Sequence, residues 1–110
     1  GKDLIISGGY NIYPQEIALF LDALPGIKES AVIGAPHPDF GESVVAVLVA
    51  EAGGSIDLEA TEGTVRGALA GFKRPRRYEI VTGLPRNTMG KVQKNQLRDR
   101  FADAFQPVTT

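Results

Sequence analysis

Ser43-Val44-Val45-Ala46-Val47-Leu48-Val49-Ala50 carries the strongest strand signal in the chain. A strand with one wet face alternates apolar and polar residues. This nearly unbroken apolar run is instead expected at the centre of a sheet, covered on both faces. Before it, Ala31-Val32-Ile33 reads as a neighbouring strand, and Leu4-Ile5-Ile6, Ser7-Gly8-Gly9 and Tyr10-Asn11-Ile12 read as a short hairpin about a Gly-Gly turn. Pro14 suits the first position of a helix, with Ile17, Phe20, Leu21 and Leu24 at helical spacing and Pro25-Gly26 to stop it.

After the central run, Asp57 is placed to cap a second helix whose buried face is Leu58, Val65, Leu69 and Phe72, although Gly63 and Gly67 weaken it. Tyr78 to Val81 is a further strand. A last helix is expected from Asn95 to Phe105, with Leu97, Phe101 and Phe105 four apart, and 106–110 as a frayed tail. The order hairpin, α, β, β, α, β, α predicts an α/β (α+β) domain. It is a small two-layer sandwich with an N-terminal β-hairpin, a short mixed sheet and about three helices.

The 110 residues suit a single domain with one modest core, and 43% hydrophobic and 23% charged residues fit an ordinary globular composition. No apolar run approaches the roughly 20 residues that span a bilayer, so no membrane partner is expected. The chain opens Gly1-Lys2-Asp3-Leu4, with neither an initiator Met nor a signal peptide, and is expected to be a piece of a longer protein. With no cysteine, disulfides, zinc-thiolate sites and thiol catalysis are excluded, in keeping with a cytoplasmic location. A single histidine, His37, argues against a multi-histidine metal site; between Pro36 and Pro38 it reads as a structural or surface residue in a loop joining two strands.

The net charge of −1 hides an asymmetry: residues 1–72 carry three basic and ten acidic side chains, residues 73–100 nine basic and two acidic. The C-terminal third is therefore expected to face an anion, either a nucleic acid or a phosphorylated small molecule. Against nucleic acid, the rest of the chain is acidic and no helix-turn-helix, RNA-recognition or zinc pattern occurs. Within the basic third, Leu84-Pro85-Arg86-Asn87-Thr88-Met89-Gly90-Lys91-Val92-Gln93-Lys94 sets a lysine at the tip of a Gly-bearing turn, projecting from its own domain. A lysine held so is suited to neutralise a phosphate or carboxylate in a site completed by other residues.

Four ordered stretches resemble the C-terminal domain of adenylate-forming enzymes, which include acyl-CoA synthetases, luciferases and peptide-synthetase adenylation domains. They are Lys2-Asp3-Leu4-Ile5-Ile6-Ser7-Gly8-Gly9 with Pro14-x-Glu16-Ile17, Pro36-His37-Pro38-Asp39-Phe40-Gly41-Glu42, Phe72-Lys73-Arg74-Pro75, and Pro85-Arg86 through Lys94. Within that superfamily, Leu84 through Lys94 reads most like malonyl-CoA synthetases. The resemblance implies a mobile lid domain for an AMP-forming acid-thiol ligase. In that reaction a carboxylate attacks the α-phosphate of ATP, giving an acyl-adenylate and pyrophosphate, and the CoA thiol then displaces AMP. It also implies that a large N-terminal adenylation domain holds most of the ATP and Mg site and the acid pocket, so that this domain alone is inactive.

Residue by residue, the resemblance implies that Lys91 is the adenylation lysine and a target for a lysine acetyltransferase. It implies that Lys2 is the hinge, and that Ser7, Gly8 and Gly9 line the pantetheine tunnel of CoA. It implies, too, that Phe72, Arg74 and Arg76, at positions that contact the CoA nucleotide in some members, stack on the base and pair with the phosphates. For Phe40 the alternatives are a border of the thiol channel or local packing, and no residue is implied as a metal ligand; Glu16, from its place after Pro14, reads as a first-turn helix residue favoured by the dipole. Malonate or methylmalonate is the implied acid, with aromatic and fatty acids as the alternative.

Overall fold

The computed structural model describes residues 3–107. Its central strand is β4 (Gly41–Ala50), and Val44 to Val49 are buried on both faces, as the apolar run predicts. One long edge of β4 pairs antiparallel with β3 (Ile27–His37), in register from Glu29↔Val49 to His37↔Gly41. The other edge is shared. The hairpin strand β1 (Ile5–Ser7) meets its start at Ser7↔Gly41, and β5 (Arg77–Val81) runs parallel to it from Val45↔Arg77 to Val49↔Val81. With β2 (Tyr10–Ile12) paired to β1, the sheet has five strands and is mixed, as expected.

Helices cover both faces. α1 (Pro14–Asp22) starts at its proline and buries Ile17, Ala18 and Leu21 against Ile5, Ile12, Val32, Val44, Ala46 and Leu48. α2 (Leu58–Ala68) adds Val65 to the same core. Asp57 caps it as predicted, its Oδ1 accepting from the Ala60 N–H at 3.1 Å, and buried Thr61 returns its hydroxyl to the Asp57 carbonyl at 2.9 Å. On the opposite face α3 (Lys94–Arg100) sets Leu97 against Ile33, Val45, Val47 and Val81, adding a second core layer beneath the sheet.

Three local expectations change, and two others fall on residues that are not described. β3 is far longer than Ala31–Ile33: it is an edge strand, so Pro36 costs no ladder bond, and His37 ends the strand instead of lying in a loop. Phe72 does not belong to α2 but to a 3₁₀ turn, Gly71–Lys73, because the chain turns extended at Leu69. α3 stops at Arg100, not Phe105. Successive turns from Phe101 keep Phe101 and Phe105 against the second core, and Arg77 Nη1 holds the Ala104 carbonyl at 3.1 Å. Finally, the outer end of the expected tail, 108–110, lies outside the described residues, as does Lys2.

Candidate functional site

The first candidate site is the turn bearing Lys91. Arg86 and Val92 face each other in an antiparallel bridge, and the Gln93 N–H donates to the Pro85 carbonyl at 2.8 Å, closing the neck of a small loop. Inside it, Asn87 Oδ1 accepts from the N–H groups of Met89 (3.0 Å) and Lys91 (2.9 Å). Gly90 has φ +84°, a conformation that costs a residue with a Cβ, and its N–H reaches the Asn87 carbonyl at 2.9 Å. The Lys91 carbonyl accepts from the Asn87 N–H at 3.0 Å and from Gln93 Nε2 at 2.9 Å. The Lys91 backbone is thus held from both sides, while its exposed side chain makes no ion pair among the described residues. Lys91 borders an open cleft with Asp3, Asn87, Gln93, Lys94 and Arg98.

The second is a cleft of about 350 Å³ between the hairpin turn and the 3₁₀ turn, lined by Ser7, Gly8, Tyr10, Phe40, Phe72 and Arg76. Its rim is the two-residue hairpin loop, where Gly8 (φ +56°) and Gly9 (φ +85°) both take the left-handed backbone of the hairpin turns whose twist matches the strands. Phe72 stacks on Tyr10 with ring centroids 4.3 Å apart, and the Arg76 guanidinium lies over the Phe40 ring at 4.5 Å. A cleft offering aromatic planes, one cation and a side-chain-free backbone fits a flat base carrying phosphates.

The predicted CoA set is therefore only partly assembled. Ser7, Gly8, Phe72 and Arg76 meet in this cleft; Gly9 does not line it. Arg74 turns away: its Nε and Nη2 donate to the carbonyls of Leu69 (2.9 Å) and Arg66 (3.1 Å), closing the C-terminal end of α2. Tyr10 and Gly71 are the lining residues that sequence reasoning missed; for Tyr10, its position just after Gly-Gly was the available signal. His37 is structural as expected, stacked on Phe40 at 4.4 Å and accepting the Asp39 N–H at Nδ1. Glu16 does more than complement a helix dipole, since it pairs with Lys73 at 3.0 Å.

The charge asymmetry resolves into partners. Among the described residues Lys73, Arg77, Arg86, Lys94 and Arg98 pair with Glu16, Glu79, Glu29 and Asp3. Arg74 is spent on carbonyls and Arg100 lies over Phe101. Arg76, Lys91 and Arg100 are the basic residues of 73–100 with neither a carboxylate nor a carbonyl partner among the described residues; Arg76 lines the aromatic cleft and Lys91 sits on the braced turn. Tyr78 lines a neighbouring cleft with Glu62, Arg66 and Arg74, and burial, reinforced by the nearby Glu62 charge and opposed by Arg66, pushes its pKa up to about 12.

The domain is thus α+β, with an exposed lysine on a braced turn at one site and an aromatic, cationic cleft at the other. Residues 16–91 match the family described as AMP-binding enzyme C-terminal domain, and the chain belongs to that family. It is similar to ATP-bound MatB from Rhodopseudomonas palustris, with a TM-score of 0.92 and 53% identity over 96% of this chain and 21% of that one. It is 47% identical to 4-chlorobenzoate--CoA ligase from Pseudomonas sp. (strain CBS-3) over 86% of this chain and 18% of that protein. It is 44% identical to feruloyl-CoA synthase from Amycolatopsis sp over 91% of this chain and 20% of that protein. The chain spans about a fifth of the length of these relatives.

Proposed function

We infer that this chain is the C-terminal domain of an ATP-dependent, AMP-forming acyl-CoA synthetase, converting a carboxylate, ATP and CoA to acyl-CoA, AMP and pyrophosphate. The observation that carries this reading is the free Lys91 on its braced turn, in a chain of this family. Lys91 supplies positive charge between the substrate carboxylate and the ATP α-phosphate, where negative charge builds during acyl-adenylate formation. The turn holds the lysine backbone in place beforehand, so little ordering remains for the moment of reaction. The aromatic cleft receives the CoA nucleotide: Phe72 offers a stacking face, Arg76 a phosphate partner, and Ser7 and Gly8 a wall close enough for the pantetheine arm. ATP, its Mg ion and the acid are held mainly by an N-terminal adenylation domain, with the hinge at Lys2. Acetylation of Lys91 removes the charge and switches off the first step.

Malonate or methylmalonate is the proposed acid. Supporting it are the wording of Leu84 through Lys94 and the 53% identity to MatB; the 47% identity to a 4-chlorobenzoate ligase keeps aromatic acids as the second reading. The test is pyrophosphate exchange by the full-length protein with malonate, methylmalonate, acetate, a long-chain acid and 4-coumarate, each with and without Lys91→Ala. Exchange with one acid, lost in the variant, is expected. No exchange with any acid overturns the reading.

A further inference from the structure

The hydrogen bonds of Asn87 and Gln93 shape the Lys91 turn, but both residues belong to the turn and its neck. At the base, Leu84 and Val92 lean on the second core. Among the described residues the tip is tied to the sheet by one side chain, Arg86. Its Nη1 donates to the Gly90 carbonyl at 2.7 Å, directly before Lys91, and its Nη2 donates to Glu29 on β3, 57 residues away in sequence.

The position of Glu29 depends on an irregularity in β3. Ile27 pairs with Ala50 and Glu29 with Val49, so Lys28 is an extra residue opposite a single step of β4. Without this bulge Ile27 and Glu29, two apart, share a face. With it, Ile27 enters the first core under α1, while Glu29 joins Ala31 and Ile33 on the face that α3 and the Lys91 turn occupy. The bulge is thus a device that brings a carboxylate to Arg86 without exposing Ile27.

We propose that Glu29 and Arg86 are a positioning pair for Lys91, holding the tip of its turn at a set height above the sheet during acyl-adenylate formation. The proposal rests on the role of Lys91 inferred above. Arginine suits the task because its planar fork donates to a carboxylate and to a carbonyl in two directions at once. Neither residue touches substrate in this role. Both act through the Gly90–Lys91 peptide.

The experiment uses the full-length enzyme with Arg86→Gln, Glu29→Gln, Arg86→Lys and Lys91→Ala, and malonate as the first acid. The initial step is read by pyrophosphate exchange and the second by thioester formation from synthetic malonyl-adenylate and CoA. If the panel above selects another acid, that acid and its adenylate replace malonate. For Arg86→Gln and Glu29→Gln, kcat for exchange should fall about 10- to 100-fold, as for an ångström-scale misplacement, with the KM for ATP and the second step unchanged. Arg86→Lys should recover part of the rate, because an ammonium satisfies one acceptor better than two. Normal exchange in both glutamine variants, with exchange lost in Lys91→Ala, overturns the positioning role and leaves the reading of Lys91 intact. An equal loss in both steps with a lowered melting temperature overturns it also, showing a structural pair only. Exchange that survives Lys91→Ala removes the reading of Lys91 and this proposal with it.

Discussion

Gly34 lies within β3, opposite Val44, and a Cβ there meets Glu42 Oε2 at 2.9 Å and Ile5 Cγ1 at 3.2 Å. The Glu42 carboxylate crosses this spot to accept the Ile6 N–H at 3.2 Å, fastening the hairpin to the central strand. Gly34→Ala forces the carboxylate aside and presses on Ile5, which is only 2% exposed. Loss of the hydrogen bond costs about 1 kcal/mol. Crowding Ile5 by a few tenths of an ångström belongs at the low end of overpacking, about 1 kcal/mol. The entropy alanine saves in the unfolded chain offsets about 0.5 kcal/mol.

A net loss of about 1.5 kcal/mol is therefore expected, or about 6–10 °C in melting temperature for a domain this small. Urea denaturation of the 110-residue chain measures it, combined with Glu42→Ala in a double-mutant cycle. Glu42→Ala alone should cost about 1 kcal/mol, and the double variant should cost less than the sum by a similar amount, because the same bond is lost once and the crowding by the carboxylate disappears. A Gly34→Ala protein as stable as the parent, or a strictly additive cycle, refutes the argument that this glycine is required by the crossing carboxylate.

Three other outcomes are expected. Phe72→Ala and Arg76→Gln in the full-length enzyme should each raise the KM for CoA about tenfold, the weight of one stacking or charged contact, while pyrophosphate exchange is unchanged; an exchange defect equal to the CoA defect would count against the cleft. Gly63→Ala and Gly67→Ala, where an added methyl meets open space, should each stabilise the chain by about 0.5–1 kcal/mol in the same denaturation assay, since glycine is a poor helix former. Tyr78 keeps its proton more tightly in the folded state than in the unfolded one, so its stabilisation is complete below pH 10.0 and is lost as pH rises toward 12. Tyr78→Phe should flatten the stability profile through that window, and an unchanged profile removes the effect.

Much of this architecture is legible locally, and the reasons are physical. A strand covered on both faces has no wet side to break its apolar run, so β4 stands out. Pro14 and the spacing of Ile17 and Leu21 mark α1, and Asp57 marks the start of α2. The Lys91 turn shows because its lysine follows a glycine, and because no carboxylate follows nearby to claim it. What stays hidden depends on partners far along the chain. The two polar ends of β3 become strand only because β4 lies beside them. Arg74 reads as a free phosphate binder until the end of α2 places two carbonyls against it. Four of the nine basic residues of 73–100 pair with carboxylates 57 to 95 residues away, as in Lys73–Glu16 and Arg98–Asp3. The helix expected to reach Phe105 is cut at Arg100, since a run of tight turns satisfies the same four-residue spacing.

The central strand also acts as a spacer. Its first residue, Gly41, pairs with Ser7 at the aromatic cleft, and Val49 pairs with Glu29, the anchor of the lysine turn. Eight steps of about 3.3 Å separate these anchors, roughly 26 Å in all. Changes more than about 10 Å apart with no shared partner combine nearly additively. On the function proposed above, selection, or an engineer, can therefore retune the grip on one ligand without disturbing the delivery of the lysine, and the two ends of the domain can be treated as separate modules.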